Sequence, residues 1–493
     1  MLKTLSADDA KYLHDFLFES NYKQTEIRDG LSLRELPSKQ LGNLPHLMHR
    51  TRERTRFSTL LRWFFVGAPV DVPTATELIP ERALRILLDC GLLSISGDHF
   101  APAVMLAPFE HLVVASDSLL TTENPEHSDL VLWPNPTTWL LWRFTIQKPF
   151  ESVLDLGTGS GVLALMAARH CVRVKGSDLN IRAVSFAQFN AWLNGVENVE
   201  FLAGDTYEPL GQNKFDLIVS NPPFFISPVH RDLFCDNPME LDQYCRRVVR
   251  EGAQRLNEGG YLQLVCEWAQ VKGQPWKERV AEWFEGAGCD AWVLKGYTED
   301  PSQYAQKRIR ETSGGQPVDD HGKTYGQWID YYNKLNVEAI YGGVIALHRR
   351  SGTNWTRWDE ITVSPKTPFG GTILRGFEGR DFVESHPGEG DLSGIKPKLS
   401  RDVRLEQLFE LAESSWQSTS LRLVLTDGLP FSIGIQPLVA EFIAKCDGTR
   451  SLGELILELS AKVKASPEQV QRECVSVIRR LIERGFVTPE SQP

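Results

Sequence analysis

The sequence has no long hydrophobic run and no early apolar stretch of the kind that directs secretion. Its first residues, MLKTLSADDAKYL, reach Asp8, Asp9 and Lys11 before any apolar run develops, which is not the pattern of a signal peptide. No stretch approaches the roughly 18 consecutive apolar residues that span a bilayer. We therefore expect a cytoplasmic protein with no membrane partner.

The sequence has no cysteine and histidine residues at the spacings typical of metal sites. The chain has eight cysteines, but they lie far apart and form no C-x-x-C pair. No cluster of histidine and cysteine has the spacing of a zinc site. We expect reduced thiols and no bound metal.

Basic charge is not in excess, since 53 Lys and Arg residues face 64 Asp and Glu residues. The net charge of -11 argues against a general electrostatic attraction to nucleic acid, although a local basic patch is compatible with it. The stretch HRTRERTRF is such a candidate. Runs like this contact phosphates, and they equally occur on solvated helix faces, so both interpretations stay open. Its arginines are Arg50, Arg52, Arg54 and Arg56.

A chain of 493 residues is too long for one ordinary domain. The sequence pattern of residues 1–125 predicts helices followed by a hairpin, which indicates a winged-helix-like domain. Residues 126–352 alternate strands with helices. Residues 353–493 are predicted to form an accessory α+β, winged-helix-like domain. In this domain PKTPFGGTILRGFEGRDF and SLRLVLTDGLPFSIG favour strands and turns, and Ser466 begins a helix.

The middle part predicts seven strands. They are SVLDLG, RVKGSDL, VEFLAGD, FDLIVSN, YLQLVCEW, AWVLKGY and YGGVIALHR. Helical stretches separate most of them, and this alternation is typical of an α/β, doubly wound, mostly parallel sheet. A polar insertion at about 299–336 lies between the last two strands. Insertions of this length are often functional or mobile.

The stretch VLDLGTGSGVLALMA follows the first predicted strand with glycines spaced G-x-G-x-G. Glycine lets the backbone turn sharply and approach a ligand. The spacing differs from the G-x-G-x-x-G of dinucleotide-binding folds. The acid that precedes the glycines suits a cationic group such as an amino acid ammonium. The residues of this candidate ligand-binding turn are Asp155, Gly157, Thr158, Gly159, Ser160 and Gly161.

Acidic residues also end the next two predicted strands. Asp178, followed by Leu179, lies where a carboxylate accepts ribose hydroxyls, and Asp205 is followed by Thr206. One acid on each of three strands, with the glycine turn, resembles the class I S-adenosylmethionine-dependent methyltransferases. The resemblance implies their Rossmann-like sheet and S-adenosylmethionine as cofactor, with Asp155 and the glycines at its methionine part, Asp178 at the ribose and Asp205 at the adenine. The alternative is a set of turn glycines and helix caps.

The fourth predicted strand ends in SNPPFF, Ser220 to Phe225. This resembles the (D/N)-P-P-(Y/F) motif of methyltransferases that act on planar amino groups. The Asn221 side-chain oxygen and the Pro222 carbonyl can each accept one N–H of such a group, and the prolines keep both acceptors rigid. Phe224 offers a stacking face. The resemblance makes Asn221, Pro222, Pro223 and Phe224 the catalytic candidates, with Asn221 also touching the cofactor. A plain strand-ending turn is the alternative.

Other residues are candidates for substrate contact. Phe225 adds a second ring beside the motif. Trp133, with Pro134 and Thr137, precedes the first strand of the sheet in LWPNPTTWLLW, where relatives carry a segment over the cofactor. An amphipathic helix packed on the sheet is the alternative for that segment. A second basic cluster lies in the insertion, at Lys307, Arg308 and Arg310.

The motif itself does not select one acceptor. The leading hypothesis is an N-methyltransferase acting on the exocyclic amino group of a nucleic-acid base, in ribosomal or transfer RNA, because SNPPFF is more similar to those enzymes than to the NPPY of release-factor glutamine methyltransferases. The alternative is protein N5-glutamine methylation of a translation factor or ribosomal protein. A third hypothesis is a non-catalytic RNA-binding scaffold with this fold.

Overall fold

The computed structural model describes residues 2–32, 44–118, 129–229, 233–312, 318–361, 367–429 and 431–490. The chain forms two compact units. The first comprises Met1–Trp142 with Lys148–Glu360, and the second comprises Arg143–Gln147 with Ile361–Pro493. The predicted boundary at 125/126 lies outside the described residues, so the three-domain division stays a prediction. No described helix is long and apolar enough to cross a membrane.

The N-terminal part of the first unit is built mainly from short helices. Ser6 caps the first of them, as predicted, because its Oγ accepts the Asp9 N–H at 3.1 Å. A π-helical turn spans Arg62–Val66. The α-helices are α1 (Ala7–Glu19), α2 (Gln24–Gly30), α3 (Leu44–Arg50), α4 (Arg56–Leu61), α5 (Val72–Leu78) and α6 (Glu81–Asp89).

Five short strands accompany these helices. Three form a sheet in the order β1-β3-β2, and the other two pair as an antiparallel hairpin. The predicted hairpin at SGD joins β2 to β3. A helix followed by a hairpin is the local arrangement that suggested a winged helix, and that assignment stays a prediction. The strands are β1 (Val70–Asp71), β2 (Leu93–Ser96), β3 (His99–Pro102), β4 (Met105–Phe109) and β5 (Leu112–Ser116).

A mixed, mostly parallel sheet forms the centre of the first unit, in the order β13-β11-β12-β10-β9-β6-β7-β8. Only β12 runs antiparallel to its neighbours. All seven predicted strands are present. The strands are β6 (Phe150–Leu156), β7 (Cys171–Asp178), β8 (Val199–Ala203), β9 (Phe215–Ser220), β10 (Leu256–Val271), β11 (Cys289–Glu299), β12 (Val337–Arg349) and β13 (Thr356–Glu360).

The predicted count of seven strands is wrong by one, because β13 adds an eighth. It pairs parallel to β11 from Ala291↔Thr356 to Lys295↔Glu360. The pairing satisfies backbone groups that an open β11 edge would leave unpaired. The Trp292 indole also donates to the Asp359 carboxylate at 3.0 Å. The short polar sequence of β13 does not predict a strand. It becomes a strand because the edge of β11 supplies its hydrogen-bonding partner.

Helices connect the strands, and the strand ends align at one edge of the sheet. Leu156 pairs in register with Ser177 of β7 and with Ser220 of β9, and Asp178 pairs with Ala203 of β8. The turns that follow these strands therefore lie side by side, where ligands bind in open α/β sheets. The helices are α7 (Pro136–Phe144), α8 (Val162–Ala167), α9 (Ile181–Leu193), α10 (Gln243–Gln254), α11 (Trp276–Ala281), α12 (Pro301–Thr312) and α13 (Val318–Lys334).

The predicted insertion forms α12 and α13, which pack under the loop that follows β9. Tyr304 and Tyr332 of these helices are buried in one apolar cluster with Ile226. The Ile226 N–H donates to the Tyr304 hydroxyl at 3.2 Å, and the Tyr332 hydroxyl donates to the Ile226 carbonyl at 2.7 Å. The described part of the insertion therefore braces this loop on both sides of Ile226.

The second unit combines helices with short sheets. The predicted start of α17 is confirmed, because the Ser466 Oγ accepts the Gln469 N–H at 3.3 Å. The helices are α14 (Gly370–Ser385), α15 (Pro437–Ile443), α16 (Leu452–Val463) and α17 (Pro467–Glu483). The strands are β14 (Lys396–Leu399), β15 (Val403–Ala412), β16 (Ser415–Leu425), β17 (Ser432–Gly434) and β18 (Val487–Glu490).

The strands predicted in SLRLVLTDGLPFSIG are present within β16 and β17. The prediction of strands and turns in PKTPFGGTILRGFEGRDF is wrong from Gly370 onward, because this stretch is helix α14. Its glycines permit close packing instead of turning the chain. A Cβ on Gly370 would lie 1.9 Å from the Thr145 carbonyl oxygen, and one on Gly379 would lie 2.5 Å from that of Ile482. The absence of side chains at these positions reflects tertiary contacts, which a local sequence pattern does not reveal.

Candidate active site

The glycine turn connects β6 to α8 and is hydrogen-bonded to the end of β7. Gly157 and Thr158 both donate their N–H groups to the Ser177 carbonyl, at 2.8 and 2.9 Å. Gly159 donates to Asp178 Oδ2 at 2.8 Å. Gly157 and Gly159 have φ of +75° and +54°, a conformation that side chains disfavour. The turn is thus held against β7 by its own backbone.

Gly161 has a packing role. Its φ is +83°, and a Cβ there would lie 2.8 Å from the Ala187 Cβ of α9. It does not line the cavity described below, unlike the other two glycines of the turn. Its predicted contact with the cofactor therefore stays a prediction, while its contact with α9 explains why glycine is needed.

Asp155 is buried beneath the turn, with only 1% of its surface exposed. Its Oδ2 accepts from the Thr158 hydroxyl at 2.7 Å and from the Ala164 N–H at 3.0 Å. Its Oδ1 is buried and has no partner among the described residues. Burial raises the pKa of Asp155 to about 7. The unpaired oxygen fits a cationic or donor group, although Asp155 itself is not part of the cavity wall.

A cavity of about 390 Å³ opens at this edge of the sheet. It brings together most of the predicted cofactor-binding residues from four different turns. Tyr244 and Arg247 of α10 also line it, although no sequence motif predicts them. The predicted residues that line it are Gly157, Thr158, Gly159, Ser160, Asp178, Leu179, Asp205, Thr206 and Asn221.

The two other strand-ending acids lie on the wall of this cavity. Asp178 accepts one N–H on each oxygen, from Asn180 and Gly159, both at 2.8 Å. Burial raises its pKa above the usual range. Each of its oxygens still has a lone pair for a hydroxyl donor. Asp205 accepts from the Arg247 guanidinium at 3.0 Å, a contact that ties β8 to α10.

The Asn221 side chain is oriented by a segment that precedes β6. Its Nδ2 donates to the Thr137 hydroxyl at 3.2 Å, and that hydroxyl donates to Asn135 Oδ1 at 2.7 Å. Because the Thr137 proton is used towards Asn135, Thr137 can only accept from Asn221, which fixes the amide orientation. The Asn221 Oδ1 is buried and has no partner among the described residues. This oxygen is therefore an oriented acceptor that can bind an N–H or O–H donor.

A second cavity of about 590 Å³ lies beside the first. Asn221, Trp133 and Phe234 line both cavities, so Asn221 lies where they meet. Predicted catalytic and substrate-contacting residues from the segment before β6, the motif loop and the insertion line the second cavity. They are Trp133, Thr137, Pro222, Phe224, Phe225, Lys307, Arg308 and Arg310. Pro223 lines the first cavity, and its carbonyl accepts from Asn237 Nδ2 at 2.9 Å.

A buried ion pair fixes one wall of the second cavity. Glu267 is 1% exposed and accepts from Arg308, Tyr297 and Tyr304. Burial raises the pKa of Glu267, and the Arg308 charge opposes that shift. The Arg308 guanidinium carbon lies 4.0 Å from the centre of the Phe225 ring. Phe225 is thus covered by arginine on that face.

The four arginines at the start of the chain line neither cavity. They are exposed, and several have local partners. Arg54 pairs with Glu77 at 2.7 Å, Arg50 donates to the Gly30 carbonyl at 3.0 Å, and Arg56 donates to the Leu78 carbonyl at 3.4 Å. A role for Arg50, Arg52, Arg54 and Arg56 in substrate binding stays a prediction.

Comparison with known proteins identifies two segments of the chain. The family model described as a methyltransferase small domain matches residues 135–285. A second model, described as a domain of unknown function (DUF7782), matches residues 375–489. The first match contains the glycine turn, the acidic strand ends and the SNPPFF motif, and the second lies within the second unit.

Curated relatives match between a fifth and a quarter of the chain. A release factor glutamine methyltransferase of Aliivibrio fischeri is 47% identical over 103 residues, which is 20% of this chain and 36% of that protein. A ribosomal protein uL3 glutamine methyltransferase of Bradyrhizobium diazoefficiens is 35% identical over 130 residues, 24% of this chain and 40% of that protein. Ribosomal RNA small subunit methyltransferase C of Alcanivorax borkumensis is 32% identical over 114 residues, 23% of this chain and 31% of that protein.

The chain spans less than half the length of each of these three relatives, and all three are named as methyltransferases. Residues 135–285 therefore belong to the methyltransferase small domain family of the class I S-adenosylmethionine-dependent methyltransferases.

Proposed function

We propose that this protein transfers a methyl group from S-adenosylmethionine to a planar NH2 group. The observation that carries the proposal is the Asn221 amide, whose nitrogen is held by Thr137 and whose buried oxygen has no partner among the described residues. Asn221 lines both cavities. An acceptor placed there is next to both a cofactor site and a substrate site.

The first cavity is the proposed cofactor site. Asp178 would accept the ribose hydroxyls on its remaining lone pairs, with Leu179 and Asp205 towards the adenine. The glycine turn above Asp155 would hold the methionine part. The Thr206 Oγ1 is a further buried polar atom without a described partner, as expected of a site shaped for a polar ligand. When bound, S-adenosylmethionine supplies an electrophilic methyl group on a sulfonium.

The second cavity is the proposed acceptor site. The lone pair of a planar NH2 group is delocalised into its ring or carbonyl, which makes the nitrogen a poor nucleophile. The Asn221 Oδ1 and the Pro222 carbonyl would each accept one N–H and so favour a pyramidal nitrogen with its lone pair towards the methyl group. The nitrogen forms the new bond as the bond to sulfur breaks, and then releases one proton to water. Rigid placement supplies much of the acceleration.

A nucleic-acid base, in RNA, is the acceptor that the lining of this cavity favours. Phe224 offers an aromatic face at the motif, and stacking of a base on such a ring is worth about 1–3 kcal/mol. Lys307 and Arg310 place cationic groups on the same cavity, despite the net charge of -11 for the whole chain. Cations beside a stacking face match the phosphate and base of a nucleotide.

A glutamine side chain is the second candidate acceptor. It is supported by the relatives named for glutamine methylation in Aliivibrio fischeri and Bradyrhizobium diazoefficiens. Labelled methyl transfer into fractionated total RNA and total protein from the native cell tests both candidates. Label in an RNA base supports the leading proposal, and label in a protein glutamine replaces it. Label in neither fraction, with a folded protein that binds no S-adenosylmethionine, would overturn the enzyme assignment in favour of a binding scaffold.

A further inference from the structure

Helix α12 forms a fixed wall of the second cavity. Tyr304 is fully buried and Ile309 is 6% exposed within the apolar cluster beneath the motif loop. Arg308, in the same helix, is tied to the buried Glu267. These contacts fix the rotation of α12 about its axis. Lys307 and Arg310 are therefore held on the cavity by the packing of their neighbours.

The charges on this wall are unequally compensated. Arg308 pairs with Glu267 and also with Glu311 at 2.7 Å. Lys307 pairs with Glu299 at 2.5 Å. By contrast, Arg310 makes no ion pair with any carboxylate of the described residues, and its Nε donates only to the Gln306 carbonyl at 3.3 Å.

The two acidic residues that line the cavity, Asp117 and Glu311, are both paired with other arginines. Asp117 is 8% exposed and pairs with Arg182 at 2.6 Å, so its charge is already compensated. Among the described residues, no carboxylate compensates the exposed guanidinium of Arg310, which lines the same cavity as Phe224. A guanidinium binds phosphate through two parallel hydrogen bonds.

We propose that Arg310, with Lys307 beside it, is a phosphate-binding site for the nucleotide whose base enters the second cavity. The inference rests on the proposed function and deepens it, since it specifies a nucleotide as the acceptor. The base lies against Phe224 with its amino group at Asn221, and the backbone phosphate lies at α12. A cavity of about 590 Å³ is within the range of roughly 300–1,000 Å³ typical of sites for ligands of this size.

The test compares ligands that differ only in phosphate. The full-length protein is saturated with S-adenosylhomocysteine, and its affinity for the four nucleoside 5′-monophosphates is compared with that for the four nucleosides by ligand-observed NMR and calorimetry. At least one monophosphate is expected to bind about tenfold more tightly than its nucleoside, as a charge-assisted hydrogen-bonded pair provides. The difference should shrink as salt increases.

Substitutions in α12 distinguish phosphate binding at Arg310 from an effect of the protein's overall charge. Arg310→Glu is expected to remove the preference for the monophosphate, and Arg310→Lys to keep part of it. Lys334→Glu makes the same charge change at an exposed position that lines neither cavity, and the preference should survive it. Equal binding of nucleosides and monophosphates, including no binding of either, contradicts the proposal, as does an unchanged preference in Arg310→Glu.

Methyl transfer distinguishes failure of this site from failure of the proposed function. Transfer to a glutamine peptide at equal rates in the wild type and in Arg310→Glu would contradict the proposed phosphate site but would still support an N-methyltransferase. Loss of S-adenosylmethionine binding by the folded wild type would remove both. Transfer to RNA with a KM raised about tenfold or more in Arg310→Glu and unchanged in Lys334→Glu supports both.

Discussion

The Asn221 Nδ2 lies 3.2 Å from the Thr137 Oγ1, although the two residues are 84 positions apart in the chain. Asn221 follows the central strand β9, and Thr137 lies in the first turn of α7. Because the Thr137 hydroxyl donates onward to Asn135, the contact leaves the Asn221 oxygen as the available acceptor. The segment that precedes β6 thus sets the orientation of the proposed catalytic amide.

Asn221→Ala is expected to lower methyl transfer by roughly 100-fold or more, the usual cost of losing one oriented hydrogen-bonding group in a transition state. Cofactor affinity should change little, because the glycine turn and Asp178 remain. Calorimetry with S-adenosylmethionine and a single-turnover transfer assay measure the two effects. Asn213→Ala, at an exposed position, is the control and should behave as the wild type. Full activity in Asn221→Ala would remove this residue from the mechanism.

Thr137→Val should lower kcat by about threefold to tenfold, because one hydrogen bond that orients the amide is lost. Thr137→Ser keeps the hydroxyl and should restore kcat. The KM for S-adenosylmethionine should stay close to that of the wild type in both variants, since Thr137 lines the acceptor cavity and not the cofactor cavity. An equal loss in the valine and serine variants would indicate a packing role instead of an orienting one.

The ligand-free protein should lose stability between about pH 4 and about pH 8 through Asp155. Burial raises the pKa of Asp155 from 3.8 in the unfolded chain to about 7 in the folded protein. The folded state therefore binds this proton more tightly than the unfolded chain does. The stability that Asp155 contributes is complete below its unfolded pKa and is lost as pH rises through about 7. Urea denaturation of the wild type and of Asp155→Asn across this range measures the contribution.

The Asp155→Asn variant should be the more stable protein at about pH 8, with the difference narrowing towards acid. The comparison isolates Asp155, because other buried acids such as Asp178 titrate in both proteins. A stability difference that does not change with pH would show that Asp155 does not titrate in this range. The same variant tests cofactor binding, which should weaken if the Asp155 charge attracts the methionine ammonium group.

Gly161→Ala should destabilise the protein more than Gly195→Ala. Both glycines have positive φ, which costs an alanine roughly 1–2 kcal/mol. At Gly195 a new Cβ meets nothing within 4 Å, whereas at Gly161 it lies 2.8 Å from the Ala187 Cβ and 3.0 Å from its Cα. Overpacking adds about 1–3 kcal/mol. Chemical denaturation of the two variants gives the difference, and equal destabilisation would show that α8 and α9 separate easily.

Local pattern was sufficient for much of the site. The run of strand, glycine turn and acid is encoded within short stretches, because positive φ requires glycine and a buried strand requires apolar residues. Asp178, Asp205 and Asn221 could all be placed at the carboxyl edge from the alternation of strands and helices alone. The strand count and α14 show what local pattern could not predict. Strand β13 depends on the β11 edge that it pairs with, and the glycines of α14 are required by the helix and loop that they contact.

The sequence by itself determined which central segments form strands and helices, the glycine turn and the position of the amide at the end of β9, because each depends on neighbours within a few residues. Only the tertiary structure decided how the amide is oriented and what surrounds the acceptor. Thr137 reaches Asn221, Arg247 reaches Asp205 and Arg308 reaches Glu267 across 84, 42 and 41 positions. Such contacts follow from the packing of separate elements, which no local periodicity encodes.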